Sequence, residues 1–500
     1  MNAKTIKKVV MIPIALILGY VFSSLLLLDK VKYFNLDGKG ILFYALTIVL
    51  TAIIYALVYV LIFTQKGKRL SKIFKLFDKE DEKDILCAVF ALVVGVAIFI
   101  LIVYGLFLPI KCDDCNDYKI HANWAIAFDF TNIPLSFRYR TYPIWHILVG
   151  FFNKVFYIPK EYSAGLTSAI FVMLSFLLVR KIFLFLAREV KKSKSKLILI
   201  DLFALVLMFV QSIYLPFFNK TQFFGQGGAH TWHNPTNTAV QPLALLCVVL
   251  FIDYIVGGGF VVKNESDIKN AKLIRLTVFL TLSVLAKPSF AQVFFPAVAI
   301  YYAYKLITTK GKCFKETVGF LVACILPMIF VLISYVFNYF DTNDSHGIMI
   351  SFAGVWKTKS DFIPLSIFIA IAFPIVFTAL NFKEEIKKPE ISLTWIIVLV
   401  GILEYLLLAE KGIRFNHDNF MWGYDLSQFM IFVFTTGNAL LMLFDLLEKP
   451  TIESGDALLK YNKAKRIKLI KLTISFVFLA LHLLSGIRYY KNIMVTNYHG

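Results

Sequence analysis

Residues 272–305 read KLIRLTVFLTLSVLAKPSFAQVFFPAVAIYYAYK. The stretch is apolar almost throughout. Both flanks are basic, with Lys272 and Arg275 on one side and Lys305 and Lys310 on the other. Basic flanks mark the cytosolic side of a span, so this chain enters and leaves on one side. Only 31 residues separate Ile274 from Tyr304, too few for two crossings at about 20 residues each. The reading is two short helices, 274–286 and 289–304, meeting at Ala286-Lys287-Pro288 below the far surface. Irregular backbone at that depth is tolerated only where it lines a cavity or is buried in protein. Lys287 is therefore expected as a cation inside a cavity that opens outward.

Working outward, the same apolar material fills the rest of the 500 residues. Hydrophobic residues make up 59%, charged residues 17%, and Phe alone accounts for 50 positions; mean hydropathy is +0.72. These values exclude a soluble globular protein. Further spans are expected near 9–28, 40–63, 85–109, 162–187, 197–217, 237–256, 316–338, 363–381, 392–410, 424–447 and 469–486. The first follows Lys4, Lys7 and Lys8 and reads as an uncleaved helix. No alternating ten-residue pattern repeats, which excludes a β-barrel. The expected fold class is an all-α polytopic membrane protein of about 13 transmembrane helices.

The formal charge of +20 could suggest nucleic acid, but topology accounts for it. Threading the spans from a cytosolic N-terminus puts about 35 of the 52 Lys and Arg residues on the cytosolic side, in clusters at 66–83, 188–196 and 460–471. The C-terminus is then extracytoplasmic. None of the eight His residues falls in an expected cytosolic loop, and only His482 lies within a span. No nucleic-acid partner is expected, and no soluble domain. Residues 1–84 read as a two-span addition with a basic cytosolic loop. Residues 85–500 form the core, with its longest non-spanning stretch at 110–161.

Two amphipathic stretches within 110–161 fit helices lying in the interface. The first, from Asp117, groups Ile120, Trp124, Ala127 and Phe128 on an apolar stripe, with Asp117 and His121 on another face. The second, from Tyr142 to Tyr157, groups Trp145, Leu148, Val149 and Phe152 opposite His146, Gly150 and Asn153. Pro134 and Pro143 separate the two. Cys112 and Cys115 form a CxxC without the second pair of ligands that zinc needs, so a local disulfide or two thiols fits better.

The chemistry-bearing residues collect in the outer loops. Asp117 and His121 stand four apart and share a helix face; a carboxylate beside an imidazole suits a general base and equally suits a solvated polar face. Asp113 and Asp114 compete with Asp117 for that role. The run Gly225-Gln226-Gly227-Gly228-Ala229-His230-Thr231-Trp232-His233-Asn234-Pro235-Thr236 offers glycines for close backbone approach. It also offers His230, His233 and Asn234 to a phosphate or to sugar hydroxyls. Asn234 with Pro235 reads at the same time as a helix start. Arg414 carries a planar donor fork suited to phosphate, with His417, Phe420 and Trp422 beside it; an interfacial aromatic belt with a charged rim explains the same residues. Arg138 and Arg140 add two outer cations. Asp341, Asp344 and His346 decorate another outer loop. No metal set is assigned.

This arrangement resembles the GT-C superfamily of polyprenyl-phosphate-sugar-dependent glycosyltransferases. The resemblance rests on Asp117-Tyr118-Lys119-Ile120-His121 just past a span, on Tyr142-Pro143-Ile144-Trp145-His146 in the second interfacial helix, on His233-Asn234-Pro235-Thr236, and on the Lys287-Pro288 tip. The chain departs from the family in that its acidic loop follows the third span rather than the first, which leaves an 11-span core after two added spans. The resemblance implies an inverting glycosyltransferase; no cofactor is assigned, and a divalent metal stays open. It would take a sugar from a polyprenyl-phosphate donor in the cell membrane and pass it to an extracytoplasmic glycan or lipid-linked acceptor. Asp117 would be the base and His121 its orienting neighbour. Lys287, Arg414 and His233 would hold the donor phosphate, and His230, Asn234, Arg138, Arg140 and His417 would line the substrate site. Three rival readings stand beside it: a lipid-linked sugar flippase, a glycan polymerase or ligase with a diphosphate-linked donor, and a membrane scaffold.

Overall fold

A computed structural model describes residues 117–128, 142–190, 193–218, 221–256, 269–339, 347–448 and 456–493. The expected spans at 9–28, 40–63 and 85–109 lie outside the described residues. So do the boundary at residue 84, Cys112 to Cys115, Arg138, Arg140, Asp341, Asp344 and His346.

The described chain is mostly helical, as a multi-pass membrane protein of this composition should be. Two short helices come first, α1 (Asp117–Ile126) and α2 (Ile144–Phe156). They are followed by α3 (Lys160–Leu186), α4 (Lys194–Leu207), α5 (Pro235–Val256), α6 (Lys269–Ala286), α7 (Ser289–Thr308) and α8 (Phe314–Tyr339). A short strand β1 (Ile348–Ile350) precedes α9 (Gly354–Lys359), α10 (Ile363–Ala370), α11 (Ala372–Leu380), α12 (Phe382–Glu385) and α13 (Pro389–Leu407). Strand β2 (Leu408–Glu410), α14 (Met421–Leu447) and α15 (Asp456–Lys491) complete it. Among the described residues, seven helices are long and apolar enough to cross a membrane: α3, α5, α7, α8, α13, α14 and α15. The pair α10–α11, bent by 77°, makes an eighth if it is one span. The core lies around α3, α5 and α14, whose apolar residues are buried on almost every face.

Two of the ten expected spans that fall on described residues are not continuous helices. The helix α6 is as expected, but Lys269, Lys272 and Arg275 make its first half polar. The span expected at 363–381 breaks at Ile371. Pro374 has no N–H and its ring crowds the carbonyl four residues back, which disrupts the turn at Ala370. The span expected at 197–217 stops being helical after Leu207. Neither Pro nor Gly stands at 208–215, so tertiary contacts override local preference there. The Ile213 N–H donates to the Ile369 carbonyl (2.9 Å) and the Tyr214 N–H to Ser485 Oγ (3.1 Å). A Cβ on Gly486 of α15 would strike the Phe209 carbonyl, so the segment lies directly against that helix.

His482 in α15 joins these two irregular stretches. Its Nδ1 donates to the Gln211 carbonyl (2.7 Å) and its Nε2 accepts from the Phe373 N–H (3.3 Å). Both backbone groups belong to broken helices and have no ladder partner. In an apolar surrounding each would be costly if left unmade. This explains the one His that the sequence places inside a span. The structure also contains a feature with no sequence signal: β1 and β2 pair antiparallel, Ile348 opposite Glu410 and Ile350 opposite Leu408. Replacing His482 by Leu strands two buried backbone groups. It is expected to destabilise the protein by about 2–5 kcal/mol, read from unfolding in mixed detergent micelles; an unchanged midpoint would refute the bridging role.

Candidate functional site

The site is assembled from three remote segments around one carboxamide. Asn234 precedes α5, and its Oδ1 accepts from the Asn237 N–H (2.9 Å) and Thr236 Oγ1 (2.9 Å), capping the helix as the Asn-Pro pair predicts. The same Oδ1 accepts from Lys287 Nζ (3.1 Å). The Nδ2 of Asn234 donates to Asp117 Oδ2 (2.6 Å) at the first turn of α1. The amide oxygen is thus fixed by the backbone and holds Lys287, while the amide nitrogen at the other end holds Asp117. Asn234 thus stands between Asp117 and Lys287 and joins them, a link that the sequence reading does not contain.

Lys287 sits between α6 and α7, 6% exposed, as the length of 274–304 predicts. Its ammonium lies 4.0 Å from the centre of the Trp422 ring, a cation–π contact that partly offsets desolvation. Burial lowers its pKa to about 7, with the negative charges of Asp117 and Asp425 pulling the other way. Around it stand Phe223, His233, Trp422 and Tyr489. His233 packs edge-on to Phe223 at 4.6 Å, and its Nδ1 is hydrogen-bonded to Tyr489 Oη (2.8 Å). His233 therefore belongs to the wall of this site.

From Trp422 a hydrogen-bond chain leads outward. Trp422 Nε1 donates to Asn419 Oδ1 (3.3 Å), Asn419 Nδ2 donates to Glu410 Oε2 (2.6 Å), and Glu410 Oε1 pairs with Arg414 (3.2 Å). Arg414 is only half-buried, but its charge is partly matched by Glu410. His417 is exposed on the same loop and is not brought to Lys287. Asp418 beside it is buried by its own neighbours, so its carboxyl pKa is raised, against the pull of Lys359 at 3.8 Å.

Other sequence-derived assignments change. The sequence offers His230 to a phosphate or to sugar hydroxyls. Its Nε2 donates to the Leu207 carbonyl (2.6 Å), leaving Nδ1 to accept from Gln241 (3.4 Å). Its ring stacks on Trp232 at 5.3 Å. Burial lowers its pKa to about 4. It is a neutral strut and is fully engaged by protein. His121 was expected on the polar face with Asp117. It is instead buried with Tyr118, Ala122 and Ala125, while Ile120 and Trp124 of the apolar stripe are exposed. Its Nδ1 is 2.8 Å from His146 Nε2, so the two rings share one proton between those atoms. His146 and Gly150 likewise face the core rather than solvent. The polar stripes of both short helices meet each other, and α1 is held in place by α2.

The glycine run is also read differently. Gly225 and Gly227 have φ of +96° and +68°, a region that favours glycine. A Cβ on Gly225 would strike the Lys359 carbonyl, one on Gly227 the Asp425 carboxylate, and one on Gly228 the Gln211 amide. The close approach is to protein, not to a ligand. Asp425 in α14, which the sequence reading does not single out, accepts from the Gly228 N–H (2.9 Å). An Asp one turn into an apolar span is itself a signal, because buried charge in a membrane needs a reason.

No protein-family model matches the chain, and no curated protein sequence matches it.

Two outcomes are expected from this geometry. A His held neutral by burial lowers stability as pH falls. The contribution of His230 is complete above about pH 6.5 and is lost progressively towards pH 4, reaching about 3 kcal/mol once both states are protonated. Comparing acid unfolding of the native protein with His230→Gln checks this; parallel curves would exclude it. Asn234→Ala removes both the cap and the bridge, and should cost about 1–2 kcal/mol of stability. Asn234→Ser should recover most of the stability by capping without restoring the link to Asp117.

Proposed function

We propose that this chain is an inverting glycosyltransferase that uses a polyprenyl-phosphate sugar, with the Asp117–Asn234–Lys287 group as its catalytic centre. The observation that carries the reading is the juxtaposition itself. A half-buried carboxylate, and a buried ammonium with a single hydrogen-bond acceptor, stand on opposite ends of one fixed amide. Glycosyl transfer from a phosphate needs those two functions near each other: a base for the acceptor hydroxyl and a cation for the departing phosphate.

In the proposed reaction the acceptor hydroxyl gives its proton to Asp117 as its oxygen attacks the anomeric carbon. The new C–O bond forms on the face opposite the phosphate, and the bond to the phosphate oxygen breaks with inversion. The electron pair stays on that oxygen, so the phosphate gains negative charge as the sugar leaves. Lys287 stabilises that growing charge more strongly than it does the donor's, which is what lowers a barrier rather than merely tightening binding. Trp422, Phe223 and Tyr489 keep water from the ammonium, so its field is little screened. His233 contributes a hydrogen-bonding edge in the same wall. The apolar flanks of the spans would take the isoprenoid. In this reading the Asp117 end of the bundle faces the extracytoplasmic side of the cell membrane, and the acceptor is a glycan or a lipid-linked saccharide.

The test is transfer in proteoliposomes supplied with radiolabelled polyprenyl-phosphate hexoses and crude envelope acceptors. Asp117→Asn should lower turnover by about 10²–10⁴-fold, and Lys287→Ala by about 10²–10³-fold. Full activity in Asp117→Asn would remove that residue as the base. Movement of labelled lipid between leaflets without transfer would replace the reading with a flippase.

A further inference from the structure

Helix α7 starts without a cap. Pro288 holds its N-cap position and has no side-chain acceptor to offer. The N–H of Gln292 donates to the Pro288 carbonyl (3.2 Å). Those of Ser289, Phe290 and Ala291 precede it and have no carbonyl of their own helix to reach. No other acceptor for them is present among the described residues. On a protein surface water fills that need. Here Ser289 is only 5% exposed, and Phe290 and Ala291 are fully enclosed, so three buried donors are left for something other than bulk water. The start of a helix carries partial positive charge, and Lys287, two residues before Ser289, adds a full one.

A second, independent observation falls on the same turn. Glu404 of α13 is 9% exposed. Its Oε2 is enclosed and unbonded, and no ion pair to its carboxyl is present among the described residues. A buried polar group left unsatisfied inside an apolar span needs an explanation. Close packing fixes its direction. A Cβ on Gly401, three residues earlier, would fall 2.8 Å from Tyr424 Cα, so α13 and α14 nearly touch. A Cβ on Gly423 would fall 2.8 Å from Glu404 Oε2, 3.1 Å from the Ser289 carbonyl and 2.5 Å from Val293 Cγ1. The carboxyl therefore passes Gly423 and stands against the first turn of α7. Gly423 follows Trp422, whose ring covers the Lys287 ammonium.

Resting on the phosphate-transfer reading, we propose that the lipid's phosphate seats on the first turn of α7, taking hydrogen bonds from the Ser289, Phe290 and Ala291 N–H groups and from Lys287, while Glu404, as a neutral carboxylic acid, donates to a further oxygen. Glu404 does not complete the set by itself, since it bonds to none of these donors. What completes it must accept several hydrogen bonds within a small volume and carry negative charge. Phosphate does both, and helix N-termini are ready seats for it. A carboxylate would repel that anion, whereas a carboxylic acid gives it an O–H. Glu404 is thereby a binding residue for the leaving group and not a second base. Stability and affinity then oppose each other at this one position. Without ligand the carboxyl is an unmet polar group, and an apolar side chain of similar volume fits its place better.

The experiment follows thermal unfolding of the full-length protein in detergent, in mildly acidic buffer, with and without added ligand. Dodecyl phosphate should raise the midpoint of the native protein. Inorganic phosphate should raise it less, because it has the oxygens but no apolar chain, and dodecanol should not raise it. Glu404→Leu should raise the ligand-free midpoint and weaken dodecyl phosphate binding by about tenfold. Glu404→Gln keeps an N–H donor in the same place and should bind within about threefold of the native protein. If Glu404→Leu does not fold, Glu404→Met makes the same comparison with a more adaptable side chain. Native affinity in Glu404→Leu, a fall in its ligand-free midpoint, or a loss in Glu404→Gln as large as in Glu404→Leu would each overturn the proposal. So would equal protection by dodecanol. Phosphate binding that is lost in Lys287→Ala but kept in Glu404→Leu would leave the phosphate-transfer reading standing without this seat. Absence of protection by either phosphate in the native protein would overturn both.

Discussion

The Asn234 carboxamide is the constraint on which the rest of the site depends. Its oxygen is shared by a backbone N–H, a hydroxyl and an ammonium, and its nitrogen is committed to one carboxylate. With its oxygen taken by three donors and one N–H on Asp117, the amide cannot flip or drift without breaking the helix cap that carries it. The acid–cation geometry is therefore as rigid as the N-terminus of a buried helix. Catalytic geometry commonly relies on a second layer of side chains for this. Here one side chain serves both fold and site, and the distance between Asp117 and Lys287 is set by the size of an amide.

The parts of this arrangement that were legible in the sequence are those with local signals. Lys287 could be placed because flanking charge and segment length are one-dimensional facts with a membrane-thickness ruler. Asn234-Pro235 announces a helix start in two residues. The long apolar helices α3, α5, α13 and α14 follow from composition alone. What was not legible depends on pairing across hundreds of residues. Nothing near Leu207 says that α4 must end there, because the reason is Gly486 and His482 far downstream. The β1–β2 ladder joins residues sixty apart through three-residue strands too short to show alternation. In α1 the apolar stripe of Ile120 and Trp124 is exposed and His121 is buried, whereas α2 buries Trp145 and Val149 as its pattern implies but buries His146 and Gly150 as well. The amphipathic pattern treats histidine as a solvent-seeking residue, whereas His121 and His146 satisfy one another and can be buried together.

The same distinction separates the two uses of polar residues in this bundle. Some, such as Lys287 and Asp425, carry charge or unmet hydrogen-bonding capacity into an apolar surrounding. Others, such as His230, His482 and Gln241, are neutral and complete, and they replace the water that irregular backbone would otherwise need. A list of unusual residues by type mixes these classes. Hydrogen-bond accounting separates them, because a histidine with both ring nitrogens engaged has nothing to offer a ligand.

The irregular stretch between α4 and α5 carries a consequence for biogenesis. Its backbone and side chains are bonded to Ile369, Trp356, Gln428, Asp425, His482 and Ser485, all of them synthesised later. While the ribosome is still making α8, the segment has none of those partners, and as non-helical chain it cannot rest in lipid. It must wait at the membrane surface or in the insertion machinery until α15 emerges, and only then settle beneath it. Helix α15, the least buried of the candidate spans among the described residues, is thus the clasp that closes over this stretch. A ribosome that stalls before it leaves the stretch between α4 and α5 without His482 and Ser485 to close it.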